Sequence, residues 1–159
     1  MNRGGELIFE NIDVKQHCND IVEFRKDSFA ASFGNTSSFV KDEYLHWLKN
    51  KINEFPNGFV LVREHDKYIG QVELTIREYQ NRTIGYINLY YLIPEMRGKG
   101  NSIKLHRYAE QFFKDNKVNE YHLRVSSSNK AALNFYHKIG MEELGPEVDG
   151  KVIRMKGYI

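Results

Sequence analysis

Six consecutive residues, Arg97, Gly98, Lys99, Gly100, Asn101 and Ser102, carry the clearest chemical signal in this chain. They bring two cations, two glycines and two small polar side chains to the start of an amphipathic run. In that run Leu105, Tyr108, Ala109 and Phe112 fall at i, i+3, i+4 and i+7, one face of a helix. The first N–H groups of a helix have no internal partner, and the helix dipole favours negative charge there. Gly98 and Gly100 tolerate backbone angles that strain other residues and let a phosphate come close to the main chain. The chemistry on offer is anion binding at a helix N-terminus, with Arg97 and Lys99 adding positive charge. A tight strand-to-helix turn without a ligand is the competing reading. The stretch is neither the Gly-x-x-x-x-Gly-Lys-Ser/Thr loop of an NTPase nor the full Gly-x-Gly-x-x-Gly of a dinucleotide fold.

Other reactive side chains form no comparable pattern. His106 and His122 are acid–base candidates that sit in no motif, and scattered histidines are more often structural or solvated. Six histidines and one cysteine show no metal-ligand spacing, so no metal is expected. The aromatic residues recur at core-facing positions and the net charge is only +2, which argues against a nucleic-acid partner.

These residues need elements to hold them. Residues 89–93 are apolar and aromatic without a break, as in a buried strand, and Pro94 stops it. Ahead of it the pattern predicts a strand over 7–12 and a helix over 16–33 with Cys18, Val22, Phe29 and Phe33 at helical spacing. Gly34 and Asn35 supply its stop. A capping cluster at residues 36–38 precedes a second helix with Val40, Tyr44, Trp47 and Leu48 on one face. Strands follow at 59–63, at 68–77 with an irregularity near Gly70, and at 83–93. After the helix from the glycine loop come a strand at 121–125 and a helix opened by Asn129 and closed by Gly140. Two last strands, at 141–144 and 151–158, flank a turn at Gly145-Pro146. The order β-α-α-β-β-β-α-β-α-β-β makes an α/β (α+β) mixed sheet with helices on its faces.

A chain of 159 residues suits one domain, residues 1–159, with a sizeable core. A lone cysteine, Cys18, allows no internal disulfide and suits a reducing cytoplasm. Residues 1–6 lack the apolar core of a signal peptide, and no apolar run approaches membrane-spanning length, so neither export nor a membrane partner is expected.

The element order and two motifs resemble the GCN5-related N-acetyltransferase (GNAT) superfamily over essentially the whole chain. The first motif is Arg97-Gly98-Lys99-Gly100-Asn101-Ser102 after a Pro-ended strand; the second runs from Asn129 to Tyr136 and on to Gly140. The resemblance implies acetyl-CoA binding, without a metal, and acetyl transfer to a primary amine by direct attack in a ternary complex. It assigns the diphosphate to the glycine loop at Gly98, Gly100, Asn101 and Ser102, with the charges of Arg97 and Lys99 beside it, and counts Ile103 among the CoA-binding residues. It assigns the pantetheine arm to the strand end at Tyr90, Tyr91 and Leu92, a second CoA contact to Asn129, and protonation of the departing thiolate to Tyr136. The chain departs from the pattern twice. Ser102 stands where Gly or Ala is usual, and Tyr86 and Arg124 stand where relatives often place a catalytic carboxylate. Glu73, on the neighbouring strand, is therefore the candidate base, facing either the site or solvent. Arg124 is the candidate substrate-binding residue and, where it points into the cleft, implies an acceptor with a carboxylate or phosphate beside its amine. The acceptor is expected to be a small molecule or a peptide, and a homodimer stays open. A CoA-binding module that has lost catalysis is the alternative.

Overall fold

The structure, a computed structural model, describes residues 6–34, 36 and 39–159. Its elements follow the expected order: β1 Leu7–Asn11, α1 Cys18–Phe33, α2 Lys41–Glu54, β2 Phe59–Glu64, β3 Lys67–Tyr79, β4 Arg82–Leu92, α3 Asn101–Asp115, β5 Glu120–Ser126, α4 Lys130–Lys138, β6 Glu142–Glu147 and β7 Val152–Tyr158. One seven-stranded mixed sheet has the order β1-β2-β3-β4-β5-β7-β6. Every pairing is antiparallel except β4 with β5.

The β4–β5 pairing positions the site. It holds only three rungs, Gly85 with Tyr121, Tyr86 with His122 and Ile87 with Leu123. Beyond Ile87 and Leu123 both strands continue, β4 to Leu92 and β5 to Ser126, without pairing to each other. The sheet therefore opens into a cleft. A bulge helps: Glu73 pairs with Leu89 and Leu74 with Ile87, so Asn88 is an extra residue on β4, and bulges bend and twist the strand that carries them.

Apolar side chains bury both faces. Val72, Leu74, Ile87, Tyr121 and Leu123 pack with Leu105, Ala109, Phe112 and Phe113 of α3, the stripe the 3.6-residue period anticipates. On the other side Ile21, Val22, Tyr44 and Leu48 of α1 and α2 pack with Ile12, Phe59 and Leu61. Each large apolar side chain so buried contributes roughly 1.5–3 kcal/mol. Gly85 serves this packing, since a Cβ there would lie 2.4 Å from the Phe113 ring. Phe113 is thereby free to stack on Tyr121, with ring centroids 5.5 Å apart.

Some boundaries differ from expectation. The irregularity near Gly70 is a register shift in which Ile69 lies between the Val62–Gly70 and Arg63–Tyr68 rungs. The turn expected at Gly145-Pro146 is strand instead, and the chain reverses at Val148 and Asp149, both of positive φ. Pro146 is tolerated because β6 is an edge strand and needs no hydrogen bond on its outer side. Ser37 and Ser38 of the expected capping cluster, and Asn35 of the first helix stop, lie outside the described residues, as do residues 1–5. Val40, at the N-cap of α2, makes no side-chain capping bond.

Candidate active site

A cavity of about 1160 Å³ fills the cleft on the α3 and α4 side. Its walls are the end of β4 (Tyr90, Tyr91, Leu92), the loop at Arg97, Gly98 and Gly100, and α3 (Ser102, Ile103, His106, Glu110). The start and inner face of α4 (Asn129, Ala132, Phe135, Tyr136) and one face of α1 (Ser28, Ala31, Ser32) complete them.

The glycine loop has the geometry of an anion cradle. Gly98 and Gly100 take φ of +73° and +81°, the left-handed region, and a Cβ on either would meet nothing within 4 Å. Conformation rather than crowding requires glycine here, and the space above the loop is open. Gly100 is the N-cap of α3 and has no side chain to cap its first N–H groups. Those donors are left for a ligand. Ser102 lines the cavity beside them.

Two expected ligand contacts are braces as well. Arg97 donates from Nε to the Leu92 carbonyl (2.8 Å) and from Nη2 to Asp27 of α1 (3.2 Å), so it ties the loop to β4 while lining the cavity. Asn101 is buried and donates to the Met96 carbonyl (3.2 Å); its side chain holds the loop and does not line the cavity. Lys99 is exposed and also off the lining.

Across the cleft, the Asn129 side chain accepts from the Ala132 N–H (3.1 Å), the N-cap that starts α4. Seven residues on, two turns of helix bring half-buried Tyr136 onto the same wall. Burial pushes its hydroxyl up to about 12, so it keeps its proton at neutral pH and can donate it. Tyr90 is raised as well, by burial first and then by Tyr136, Tyr121 and Glu110. Its hydroxyl bonds Nδ1 of His106 (3.1 Å), whose Nε2 faces the Tyr121 hydroxyl (3.2 Å). Burial lowers the His106 pKa against an opposing effect from Glu110, which keeps the ring neutral.

Glu73 requires a correction. It faces neither cavity nor solvent: it is 0% exposed, in the layer beneath α1 and α2. It accepts from Arg25 Nη1 (3.1 Å), the Tyr44 hydroxyl (2.6 Å) and Gln71 Nε2 (2.8 Å). Alternation on β3 put it opposite Val72 and Leu74, as expected, but the helices covering that side were not legible from the strand alone.

Arg124 does not line the cavity either. It is exposed and stands one residue past the last β4–β5 rung, donating from Nε to Glu147 of β6 (2.8 Å). Glu147 also accepts from Arg154 Nε (3.0 Å), and Arg154 Nη1 donates to Nδ1 of His122 (2.8 Å). Because Nδ1 accepts there, His122 carries its proton on Nε2 and donates it to Glu120 (2.6 Å). Arg82 closes the chain with two 2.8 Å bonds to Glu120.

The α1 contribution was missed, although Ser28, Ala31 and Ser32 are small residues at helical spacing and so mark a face another group can approach. His106 and Glu110 were missed as cavity lining for want of a motif. Among the described residues no group of three His, Cys, Asp or Glu is placed to hold a metal. None of the described helices is long and apolar enough to cross a membrane.

Comparison with known proteins gives a family and a fold. Residues 19–141 match the model of the acetyltransferase (GNAT) family. N-alpha-acetyltransferase 30 of Schizosaccharomyces pombe is 27% identical over 90 residues, 56% of this chain and 60% of that protein. The chain thus spans less than two thirds of the length of the curated relatives it matches. The NatC complex bound to Gag peptide and CoA contains a chain that superposes with a TM-score of 0.77 at 16% identity, covering 97% of this chain and 99% of that one. The PaiA N-acetyltransferase from Thermoplasma acidophilum in complex with coenzyme A gives 0.70 at 19% identity, over 97% and 99%.

Proposed function

The chain belongs to the GNAT acetyltransferase family, and from that premise we propose that it transfers an acetyl group from acetyl-CoA to a primary amine within a ternary complex. One observation carries the reading: the uncapped α3 N-terminus and the open glycine loop face, across one cavity, the Asn129–Tyr136 wall of α4. In this reading the loop N–H groups and Ser102 hold the diphosphate, with Arg97 bracing the loop and Lys99 adding charge. The free edge of β4 at Tyr90, Tyr91 and Leu92 pairs with the pantetheine amides, and Ile103 packs beside it. The amine lone pair forms a bond to the thioester carbonyl carbon and the C–S bond breaks. The Tyr136 hydroxyl gives its proton to the departing sulfur, and the nitrogen sheds one proton as the amide forms, which restores the hydroxyl. Residues 1–159 act as one domain, and the single cysteine fits a cytoplasmic setting.

An alkylammonium must lose a proton first, which costs roughly 4–5 kcal/mol at neutral pH. Direct contact between the acceptor and Glu73 does not fit its burial, so we assign Glu73 a part relayed through water. The same burial is what favours the second reading, a CoA-binding module without turnover. Tyr136→Phe tests the proposal: it keeps the ring, so the melting temperature should hardly move, while kcat should fall about 10²- to 10⁴-fold. With a Tyr136 pKa near 12, the wild-type kcat should show no descending limb from this group below about pH 10. Full turnover in Tyr136→Phe would remove the role.

A further inference from the structure

We propose that the acceptor is an amine carrying a carboxylate or phosphate, and that Arg77 and Arg124 bind this anion at the mouth of the cleft, on the α1 and α2 side of the sheet. This rests on the acetyltransferase reading and names the substrate class of that site.

The position comes first. Tyr86 pairs with His122 on the next-to-last β4–β5 rung, and Asn88 and Arg124 follow where the strands part. The bulge at Asn88 turns its side chain toward β3, where its Oδ1 accepts from Arg77 Nη2 (2.7 Å) and its Nδ2 donates to Thr75 Oγ1 (3.1 Å). The Arg77 guanidinium lies 3.7 Å from the centroid of the buried Tyr86 ring. Arg77, whose backbone pairs with Ile84, thus reaches with its side chain to the bulge, while Arg124 stands on β5 just past the last rung, and both are exposed.

The charge count comes next. Arg77, Arg124 and Arg154 form one electrostatic cluster. Burial depresses the Arg77 pKa most, Tyr86 raises it, and Arg124 and Arg154 add to the depression. Among the described residues the one carboxylate hydrogen-bonded to any of the three is Glu147, shared between Arg124 and Arg154. Among the described residues Arg77 has only the neutral acceptors Asn88 and Thr75. A guanidinium set over a ring, repelled by two others and given no counter-ion among the described residues, is an incomplete arrangement beside Arg25, Arg63, Arg82 and Arg97, each paired with a carboxylate. A carboxylate or phosphate completes it, since a guanidinium fork matches either in two-point geometry. The stacking on Tyr86 and the bond to Asn88 hold Arg77 in place beforehand, which reduces what binding must order.

The experiment has two arms. The first measures acetyl transfer from acetyl-CoA to a panel: glycine, 2-aminoethylphosphonate, the dipeptides Met-Asp and Met-Lys, butylamine and spermidine. Anionic amines should lead. Glycine or 2-aminoethylphosphonate ahead of Met-Asp identifies a small acceptor, and the reverse order a peptide with an acidic second residue. Arg77→Gln should raise KM for the anionic amines about 10- to 100-fold, the share of a charge-assisted hydrogen bond, while KM for acetyl-CoA stays unchanged. Arg77→Lys should restore part of the loss. The second arm needs no turnover: the Arg Nε–H resonances of the wild-type protein are followed by NMR against inorganic phosphate, with sodium chloride at equal ionic strength as control. The Arg77 and Arg124 signals should shift with phosphate and not with chloride. Preference for spermidine or butylamine, an equal loss for every amine in Arg77→Gln, or Arg signals indifferent to phosphate would each overturn the assignment. Absence of any turnover alongside a phosphate response would instead count against the acetyltransferase reading and leave the anion site standing.

Discussion

Replacing Gly100 separates backbone strain from charge at the glycine loop. Gly100 has φ +81° and is the N-cap of α3, with open space where a Cβ would stand. Any other residue there pays the left-handed penalty, about 1–2 kcal/mol, with no clash added. For a chain this size that lowers the Tm by roughly 2–8 °C, and by less for Asn or Asp, which tolerate this region best. Gly100→Asn and Gly100→Asp share shape and strain and differ by one negative charge. A charge about 4 Å from a phosphate oxygen repels it by about 1 kcal/mol in water and about 4 kcal/mol at an effective dielectric of 20. Relative to Gly100→Asn, Gly100→Asp should therefore bind CoA roughly fivefold to nearly a thousandfold more weakly. Calorimetric titration of CoA into both variants reads the difference, and repeating it at high salt should shrink it, because the loop is exposed. Equal CoA affinities in two folded variants would refute the placement of the diphosphate on this loop.

Two further substitutions probe the network behind the site. Glu73→Gln removes the charge that Arg25 and Tyr44 share, so it should cost about 1.5–3 kcal/mol in urea unfolding. If Glu73 also serves the relay, its rate should fall mainly at low pH, where free amine is scarce; an unchanged low-pH rate retires the relay. Glu120 is held down to about 2 from its ordinary 4.5, chiefly by its hydrogen bond with Arg82, with His122 helping and burial opposing. A carboxylate lowered on folding stabilises the fold fully above its unfolded pKa, and that contribution drains away as pH falls from 4.5 toward 2. Glu120→Gln should flatten the acid limb of stability over that window, as followed by thermal melts; an unaltered limb would show that the Arg82–Glu120 pair contributes nothing.

The parts of the molecule that were legible in sequence are those written in local pattern. The period of Leu105, Ala109 and Phe112, the Pro94 stop and the Asn129 cap each depend on a few neighbouring residues, and the structure reproduces all three elements. Gly98 and Gly100 were legible for the same reason, since a required backbone angle leaves its mark on residue type. What stayed hidden depends on residues far apart in sequence. Glu73 reads as an alternating polar position until Arg25 and Tyr44, 48 and 29 residues away, close over it. Gly145-Pro146 reads as a turn until β7 pairs with it as an edge strand. Asn101 reads as a ligand contact, but its amide turns back to Met96. Arg77 carries no motif; only the Asn88 bulge and the ring of Tyr86 give it a place beside Arg124.

The most direct measurement follows the acetyl group itself. Purified protein is mixed with acetyl-CoA carrying a ¹³C-labelled acetyl group and a panel of primary amines, and products are resolved by mass spectrometry. The proposal predicts label on the amine nitrogen of at least one panel member, matched mole for mole by released CoA, with Tyr136→Phe slowing both together. CoA release without labelled amine, or no release above the protein-free control, would contradict acetyl transfer to an amine as the function of this chain.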